Sequence, residues 1–263
     1  YSSFPLCVAA SILRITFVIY ENNLIIGKAN RYLLPLTKKI FVSHKELEGI
    51  PNKYKFKVCE IGNLLRKEII NFNKKNLENE NFDVIKILVL GGSQAAKVFA
   101  EKLPLIFKRC KKEEISIKVY QQCLKNQKDD LLLFYKNLNI DFEIFNFTNN
   151  IHEYFSKVNL AITRSGASIM GELTNANIPF ISVPLPTSAD NHQLKNALYY
   201  EKISFSYLIE EKNLEAKLFD LIKLLYKDKS LLKRMKINQS QYSDKNVFQN
   251  INLQLEKIFN EKN

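Results

Sequence analysis

Ile87-Leu88-Val89-Leu90-Gly91-Gly92-Ser93-Gln94 is an apolar strand that stops at two glycines and runs into a helix-like segment. A strand ending in this way leaves backbone N–H groups exposed at the start of the helix, which is how proteins build a seat for phosphate. Glycine also serves plain turn geometry at such a junction, so this stretch alone leaves both readings open. Two further loops of the same kind follow their own apolar runs: Arg164-Ser165-Gly166-Ala167 after Leu160 to Thr163, and Pro184 to Gln193 after Phe180 to Val183. Three such loops together favour a ligand over geometry alone.

Working outward, apolar runs near 85–90, 115–120, 142–146, 158–163, 179–183 and 204–208 alternate with amphipathic segments. Six strands with intervening helices predict an α/β fold with a doubly wound parallel sheet. The common strand order 3-2-1-4-5-6 reverses between the first and fourth strands and opens a crevice at their carboxyl ends. The loops at Gly91 and Arg164 would face each other across that crevice. In the first half, an apolar helix from Phe4 is expected to be buried and to lead into a strand at Ile15 to Ile19. Further strands are expected at Ile40 to Ser43 and Lys57 to Ile61, with Pro51-Asn52 turning between them and a charged linker over Lys67 to Asp83. Tyr242 to Phe259 has apolar residues at Val247, Ile251, Leu255 and Ile258, the spacing of an amphipathic helix.

At 263 residues and 46% apolar content the chain can bury one large or two modest cores. Its net charge of +12 comes mostly from scattered lysines, as in Lys108 to Lys112 and Lys223 to Lys236, with no stripe of aromatics among them. That pattern reads as solvated helix faces with a phosphate ligand or membrane surface as partner, and no nucleic acid. Cys7, Cys59, Cys110 and Cys123 lack C-x-x-C spacing, and His44, His152 and His192 are dispersed, so neither a disulfide framework nor a metal site is expected. Phe4 to Tyr20 carries Pro5 and Arg14 and is short for a membrane span. The chain opens on Tyr1 in mid-pattern, with methionines only at 170 and 235, so it reads as part of a longer product.

Glu172 stands about two turns into the helix after Ser165, where a carboxylate could accept both hydroxyls of a ribose whose phosphates sit on the helix N–H groups. It could equally be a solvated glutamate favoured by the helix dipole. Asp190-Asn191-His192-Gln193 precedes another helix, which Asp190 or Asn191 would cap. Gln193 can both donate to and accept from sugar hydroxyls.

Taken in order, Tyr1-Ser2-Ser3-Phe4-Pro5, Glu21-Asn22-Asn23, Gly62-Asn63-Leu64-Leu65-Arg66, Ile87 to Lys97, Thr163 to Glu172 and Pro184 to Ala197 resemble the MurG family. These peptidoglycan glycosyltransferases move N-acetylglucosamine from its UDP donor to the undecaprenyl-linked lipid I. The resemblance implies two Rossmann-like domains of the GT-B glycosyltransferase type, the N-terminal one incomplete. It implies a partial acceptor and membrane-side domain over residues 1–68, a UDP-sugar donor domain over 69–240, and a terminal helix at 241–263 packing back on the first domain. Ser93 would meet the diphosphate, beside Gly91, Gly92 and Gln94 of the phosphate loop. Thr148 would hold the uracil through its backbone, and Ala167, Ser168, Ile169, Met170, Gly171 and Glu172 would line the diphosphate and ribose. Gln193 would read the sugar hydroxyls, and Asn23 and Arg66 would reach the donor from the first domain.

The sequence departs from the family's pattern in Ala95, which replaces a third glycine, and Lys97, which replaces an arginine; Asn22 stands for glutamine and Leu64 for proline. The family's glycine-rich loop with its histidine would lie before Tyr1. The implied chemistry is an inverting displacement with UDP as leaving group and no metal or other cofactor. It leaves the general base unassigned, His192 being the one histidine in a ligand loop. The implied location is the cytoplasmic face of the bacterial inner membrane, held peripherally. Two other readings stay open: a UDP-sugar epimerase on the same scaffold, which would turn over without an acceptor, and a truncated donor-binding subunit or relic without transfer activity.

Overall fold

A computed structural model describes residues 3–72 and 82–260, and of residues 93–96 the backbone alone. The first half contains α1 (Ser3–Ile12), β1 (Val18–Glu21), α2 (Lys28–Leu33), β2 (Lys39–Val42), β3 (Val58–Glu60) and α3 (Lys67–Ile70). Its three strands pair in chain order and all in parallel, Val18 opposite Lys39 and Ile40 opposite Val58. The second half contains β4 (Ile85–Leu90), α4 (Gly92–Lys112), β5 (Ile117–Gln122), α5 (Lys128–Asn137), β6 (Asp141–Phe145), α6 (His152–Phe155), β7 (Leu160–Thr163), α7 (Ala167–Asn175), β8 (Phe180–Ser182), α8 (His192–Lys202) and β9 (Ser206–Leu208). It ends with α9 (Leu214–Lys227), α10 (Lys229–Ser240) and α11 (Val247–Asn260). The six strands form one parallel sheet in the order β6-β5-β4-β7-β8-β9, the doubly wound order expected from the alternation of apolar runs.

The central strands β4 and β7 are buried along almost their whole length, as parallel strands covered on both faces must be. On one face Ile87, Val89 and Ile162 pack with α4, α5 and α9 through Phe99, Phe107, Tyr135 and Ile222. On the other, Leu88, Leu90 and Ala161 pack with Met170, Leu173 and Tyr200 of α7 and α8, and also with Leu65 and Ile69. The last two come from around α3, Leu65 just before the expected linker and Ile69 inside it, so the chain on leaving the first half already packs into the second core. Residues 73–81 of that linker lie outside the described residues. Helix α11 returns to the first half, where Val247 and Ile258 pack against Phe41 and Ile61.

The expected burial of the first helix does not hold. Phe4, Cys7 and Val8 of α1 lean on the cluster built by Ile19, Ile40 and Val42, but no residue of the helix is buried, and Leu6 and Ile12 are 72% and 77% exposed. Among the described residues nothing covers the outer side of this helix. The strand after it begins at Val18 and not at Ile15, because α1 ends in a Schellman turn: Arg14 takes a φ of 58°, and Ile15 N–H returns to Ala10 O at 2.8 Å. The same closure recurs at Glu114, Asn139, Asn177 and Ser204, each followed by an apolar residue whose N–H reaches back to the helix. Ile115 and Phe205 are such residues, which is why the strands expected from 115 and 204 begin at Ile117 and Ser206.

The contact between the halves is mostly polar. His44, which follows β2, sits buried against three tyrosines, with Nε2 3.2 Å from the Tyr200 hydroxyl, Nδ1 3.4 Å from that of Tyr199, and the Tyr242 ring centroid 6.0 Å away. Burial pushes its pKa below 6.5, against a smaller opposing pull from the Asp244 and Glu46 carboxylates. The unfolded chain therefore takes up a proton near pH 6.5 that the folded chain resists, so stability falls as pH drops below about 6.5. A denaturant midpoint that decreases from about pH 7.5 to about pH 5.5, and decreases less in His44→Gln, is the expected result. Gly62 lies at the same boundary with a φ of 97°, and a Cβ there would press into Asp244 Oδ1 well inside contact distance. Gly62→Ala is expected to destabilise the chain by about 3 kcal/mol, read from the same denaturation curves.

Candidate functional site

At the carboxyl ends of β4 and β7, where the strand order reverses, lies a pocket of about 430 Å³. Its floor is Leu90, Gly91 and Thr163, and one wall is the start of α7 with Gly166, Ile169 and Glu172. The base of a third wall is Leu185 and Gln193, and Gln122, Phe147, Thr148 and Ile151 close the far end. Arg66 enters from the first half. The pocket thus collects residues from all three loops singled out in the sequence.

Helix α4 begins at Gly92 with a φ of 62°, a left-handed conformation that suits glycine, and a Cβ there would meet nothing. Gly91 and Gly92 line the pocket at the point where α4 begins, so the helix start borders the cavity. The backbones of Ser93 and Gln94 lie in that first turn, and their side chains fall outside the described residues. The opposing wall obeys helical periodicity. Gly166, Ile169 and Glu172 fall on one face at intervals of three and line the pocket. The intervening residues expected there do not. Met170 points into the apolar core, Gly171 packs on Asn63, Ser168 is exposed with its hydroxyl accepting from Asn22 Nδ2 at 3.3 Å, and Ala167 lies off the wall.

Arg66 and Glu172 meet across the cleft as a two-pronged pair. Arg66 Nε donates to Oε1 at 3.1 Å and Nη2 to Oε2 at 3.0 Å, while Nη1 donates to the carbonyl of Asn149 at 2.9 Å. The Glu172 side chain is 12% exposed and that of Arg66 42%, so the carboxylate is the sheltered partner. Each carboxylate oxygen has two acceptor directions. The guanidinium takes the two that converge on one side, which is the side a vicinal diol would use.

Thr148 stands beside Asn149. Its hydroxyl closes a small turn by accepting from Asn150 N–H at 3.0 Å, and among the described residues its own N–H and carbonyl enter no backbone hydrogen bond. A flat ring with an adjacent donor and acceptor could take both. Gln193 accepts the Leu185 N–H on Oε1 at 2.9 Å, which fixes its carboxamide and leaves the amino end free to donate. The expected cap at α8 is absent: Asp190 and Asn191 have left-handed φ values of 52° and 54° and make no side-chain cap. Ser188 Oγ accepts the Gln193 N–H at 3.4 Å instead, and His192 Nδ1 donates to the Ala189 carbonyl at 2.8 Å. Asn23 is not on the pocket wall. Its side chain donates to Glu21 Oε1 at 3.0 Å and accepts from Asn196 Nδ2 at 3.1 Å, joining the halves beside the site.

Two side chains that pattern reading did not assign a role shape the pocket. Arg164 is 6% exposed, donates to the carbonyls of Val183 and Pro184 at 3.2 and 3.3 Å, pairs with Glu211 and lies over the Phe99 ring. It ties the loop after β7 to the loop after β8. Phe147, 80% exposed at the rim, is an apolar plane beside Thr148. A burial pattern cannot flag either, since one is a cation inside a core and the other an aromatic outside it. Among the described residues no group of His, Cys, Asp or Glu is placed to hold a metal ion.

Residues 86–251 match the model of the glycosyltransferase family 28 C-terminal domain. An enzyme from Pelagibacter ubique named UDP-N-acetylglucosamine–N-acetylmuramyl-(pentapeptide) pyrophosphoryl-undecaprenol N-acetylglucosamine transferase is 35% identical over 99% of this chain and 72% of its own length. An enzyme of the same name from Rickettsia canadensis is 34% identical over 81% of the chain and 62% of its own length. Among solved structures, MurG from Acinetobacter baumannii superposes with a TM-score of 0.80 at 22% identity, covering 98% of this chain and 71% of that one. The UDP complex of MnaA from S. aureus has the same fold at a TM-score of 0.65 and 16% identity, covering 98% and 72%. With a family model over most of its length and a relative of this identity and coverage, the chain belongs to the MurG glycosyltransferases of family 28, built on the GT-B fold.

Proposed function

We propose that this chain binds UDP-N-acetylglucosamine in the pocket between β4 and β7 and transfers its sugar to lipid I, forming lipid II for the cell wall. The observation that carries the reading is the convergence of a glycine-started helix, a matched Arg66–Glu172 pair and a fixed glutamine on one cavity. The uracil would lie at Thr148, taking its backbone N–H and carbonyl, with Phe147 against the ring. The ribose diol would take Glu172 on the side the Arg66 guanidinium holds here, freeing that cation for the diphosphate, and the sugar hydroxyls would use the free amino end of Gln193.

In the transfer, a hydroxyl of the acceptor sugar attacks the anomeric carbon of the donor as the bond to UDP breaks, with inversion. Negative charge grows on the diphosphate oxygens in that transition state, and preorganised donors aimed at them lower the barrier. The first N–H groups of α4 at Gly92 and Ser93, the start of α7 near Gly166, and the guanidinium of Arg66 are the donors within reach. The proton leaving the acceptor hydroxyl needs a base, which we do not assign. His192 Nδ1 is committed to the Ala189 carbonyl.

A lipid-linked acceptor requires work at a membrane surface, and we place the chain peripherally on the cytoplasmic face. Among the described residues no helix is long and apolar enough to cross a membrane. The exposed Leu6, Ile12, Leu13 and Ile15 beside Arg14, together with the charge of +12, support contact with an anionic leaflet.

Calorimetric titration tests the donor reading. Saturable binding of UDP-N-acetylglucosamine is expected, weakened about tenfold or more by Glu172→Ala and by Gln193→Ala in chains that remain folded. UDP without the sugar should lose affinity with Glu172→Ala and keep it with Gln193→Ala. Donor affinity indifferent to both substitutions would remove the ligand from this pocket.

A further inference from the structure

Three residues before Arg66, Asn63 is bound into a buried polar knot centred on Asp244, in the segment that leads from α10 to α11. Asp244 is 4% exposed. Its Oδ1 accepts the Asn63 N–H at 2.9 Å and the Tyr242 hydroxyl at 3.0 Å, and its Oδ2 accepts the side-chain amides of Asn63 and Asn175 at 3.0 and 2.6 Å. Its own N–H donates to Asn175 Oδ1 at 2.9 Å. Among the described residues no lysine or arginine pairs with this carboxylate, so neutral donors alone hold it. Burying a carboxylate in that way carries a desolvation cost that an apolar contact between the same segments would avoid.

The arrangement does something an apolar contact would not: it fixes three separate segments in register. Asn63 belongs to the loop that delivers Arg66, Asn175 belongs to α7 one turn beyond Glu172, and Asp244 belongs to the crossover that returns to the first half. Gly62 and Gly171 flank the knot. A Cβ on Gly171 would lie 2.9 Å from Asn63 Cγ, so α7 and the Arg66 loop approach more closely than any other residue would permit. Asn63 Oδ1 has no partner. Asn63 is held through its donors, whose bonds end on Asp244 and Tyr242.

We infer that Asp244 is a positioning residue: by holding Asn63 and Asn175 on one carboxylate it sets Arg66 against Glu172 and Asn149, and so sets the donor pocket's span. This rests on the reading that Arg66 and Glu172 hold the donor. Carboxylate geometry matters here more than charge, because directed acceptors on both oxygens are needed for the four bonds. In Asp244→Asn one oxygen becomes an amino group facing the amides of Asn63 and Asn175, donor against donor.

The test is a double-mutant cycle on the full chain, read by calorimetric titration with UDP-N-acetylglucosamine, each protein being checked for folding by circular dichroism and thermal unfolding. Asp244→Asn is expected to weaken donor binding about tenfold, Arg66→Ala by a similar factor, and the double variant no more than about twofold beyond Arg66→Ala. Losses that multiply in the double variant, or full donor affinity in a folded Asp244→Asn, would overturn the inference. Should Asp244→Asn fail to fold, Asn63→Ala, which leaves Asp244 bonded to Asn175 and Tyr242, takes its place in the cycle with the same expectations. Unchanged donor affinity in Arg66→Ala would instead overturn the reading of the pocket on which the inference stands.

Discussion

The parallel pairing of β4 with β7, from Ile87 opposite Leu160 to Leu90 opposite Thr163, is the constraint on which the rest of the molecule depends. β8 and β9, which follow β7, lie on one side of that pair, and β5 and β6, which fall between β4 and β7 in the chain, lie on the other. The two helices that follow these strands must therefore leave in opposite directions, and their amino ends diverge over a gap that no connection crosses. The pocket is that gap. Its chemistry follows because both helix starts present unpaired N–H groups and a positive dipole end to the same space.

The first half contributes to the pocket through side chains that reach over a polar boundary. Asn22, Asn23, Leu24, His44, Asn63 and Arg66 all bond to groups of the second half, and most of those contacts are directional. Directional contacts between hydrated groups gain less per area than apolar packing but specify orientation more tightly. Among the described residues, apolar clusters join the halves around α3, through Leu65 and Ile69 in the second core, and at α11 on the first sheet. That division suits a molecule whose halves must be held at a set distance while leaving a cleft open to a ligand.

Much of this was legible in the residues. Apolar period and length exposed the nine strands of the described residues, and the glycine pair after Leu90 marked the reversal point. Glu172, Gln193 and Arg66, singled out by helix position, by side-chain chemistry and by family likeness respectively, all line the one pocket. Met170 and Gly171 were placed on the pocket wall by likeness, and the helix turned them away from it, since a contiguous motif on a helix cannot present every member to one side. The early strand boundaries failed for a local reason: a residue with positive φ that is not glycine gives no warning in the sequence. The buried cation at Arg164 and the carboxylate at Asp244 were assigned no role because most of their side-chain partners lie 19 to 181 positions away in the chain.

The left-handed helix ends at Arg14, Glu114, Asn139, Asn177 and Ser204 also bear on the chain's seven glycines. At these five helix ends the position that commonly takes glycine is filled by another residue, at a cost of about 1 kcal/mol each. Five of the glycines that remain, Gly62, Gly91, Gly92, Gly166 and Gly171, stand on the pocket or on the knot beside it. In a chain so poor in the smallest residue, most of its glycines are spent on the candidate cleft and on the knot that braces it.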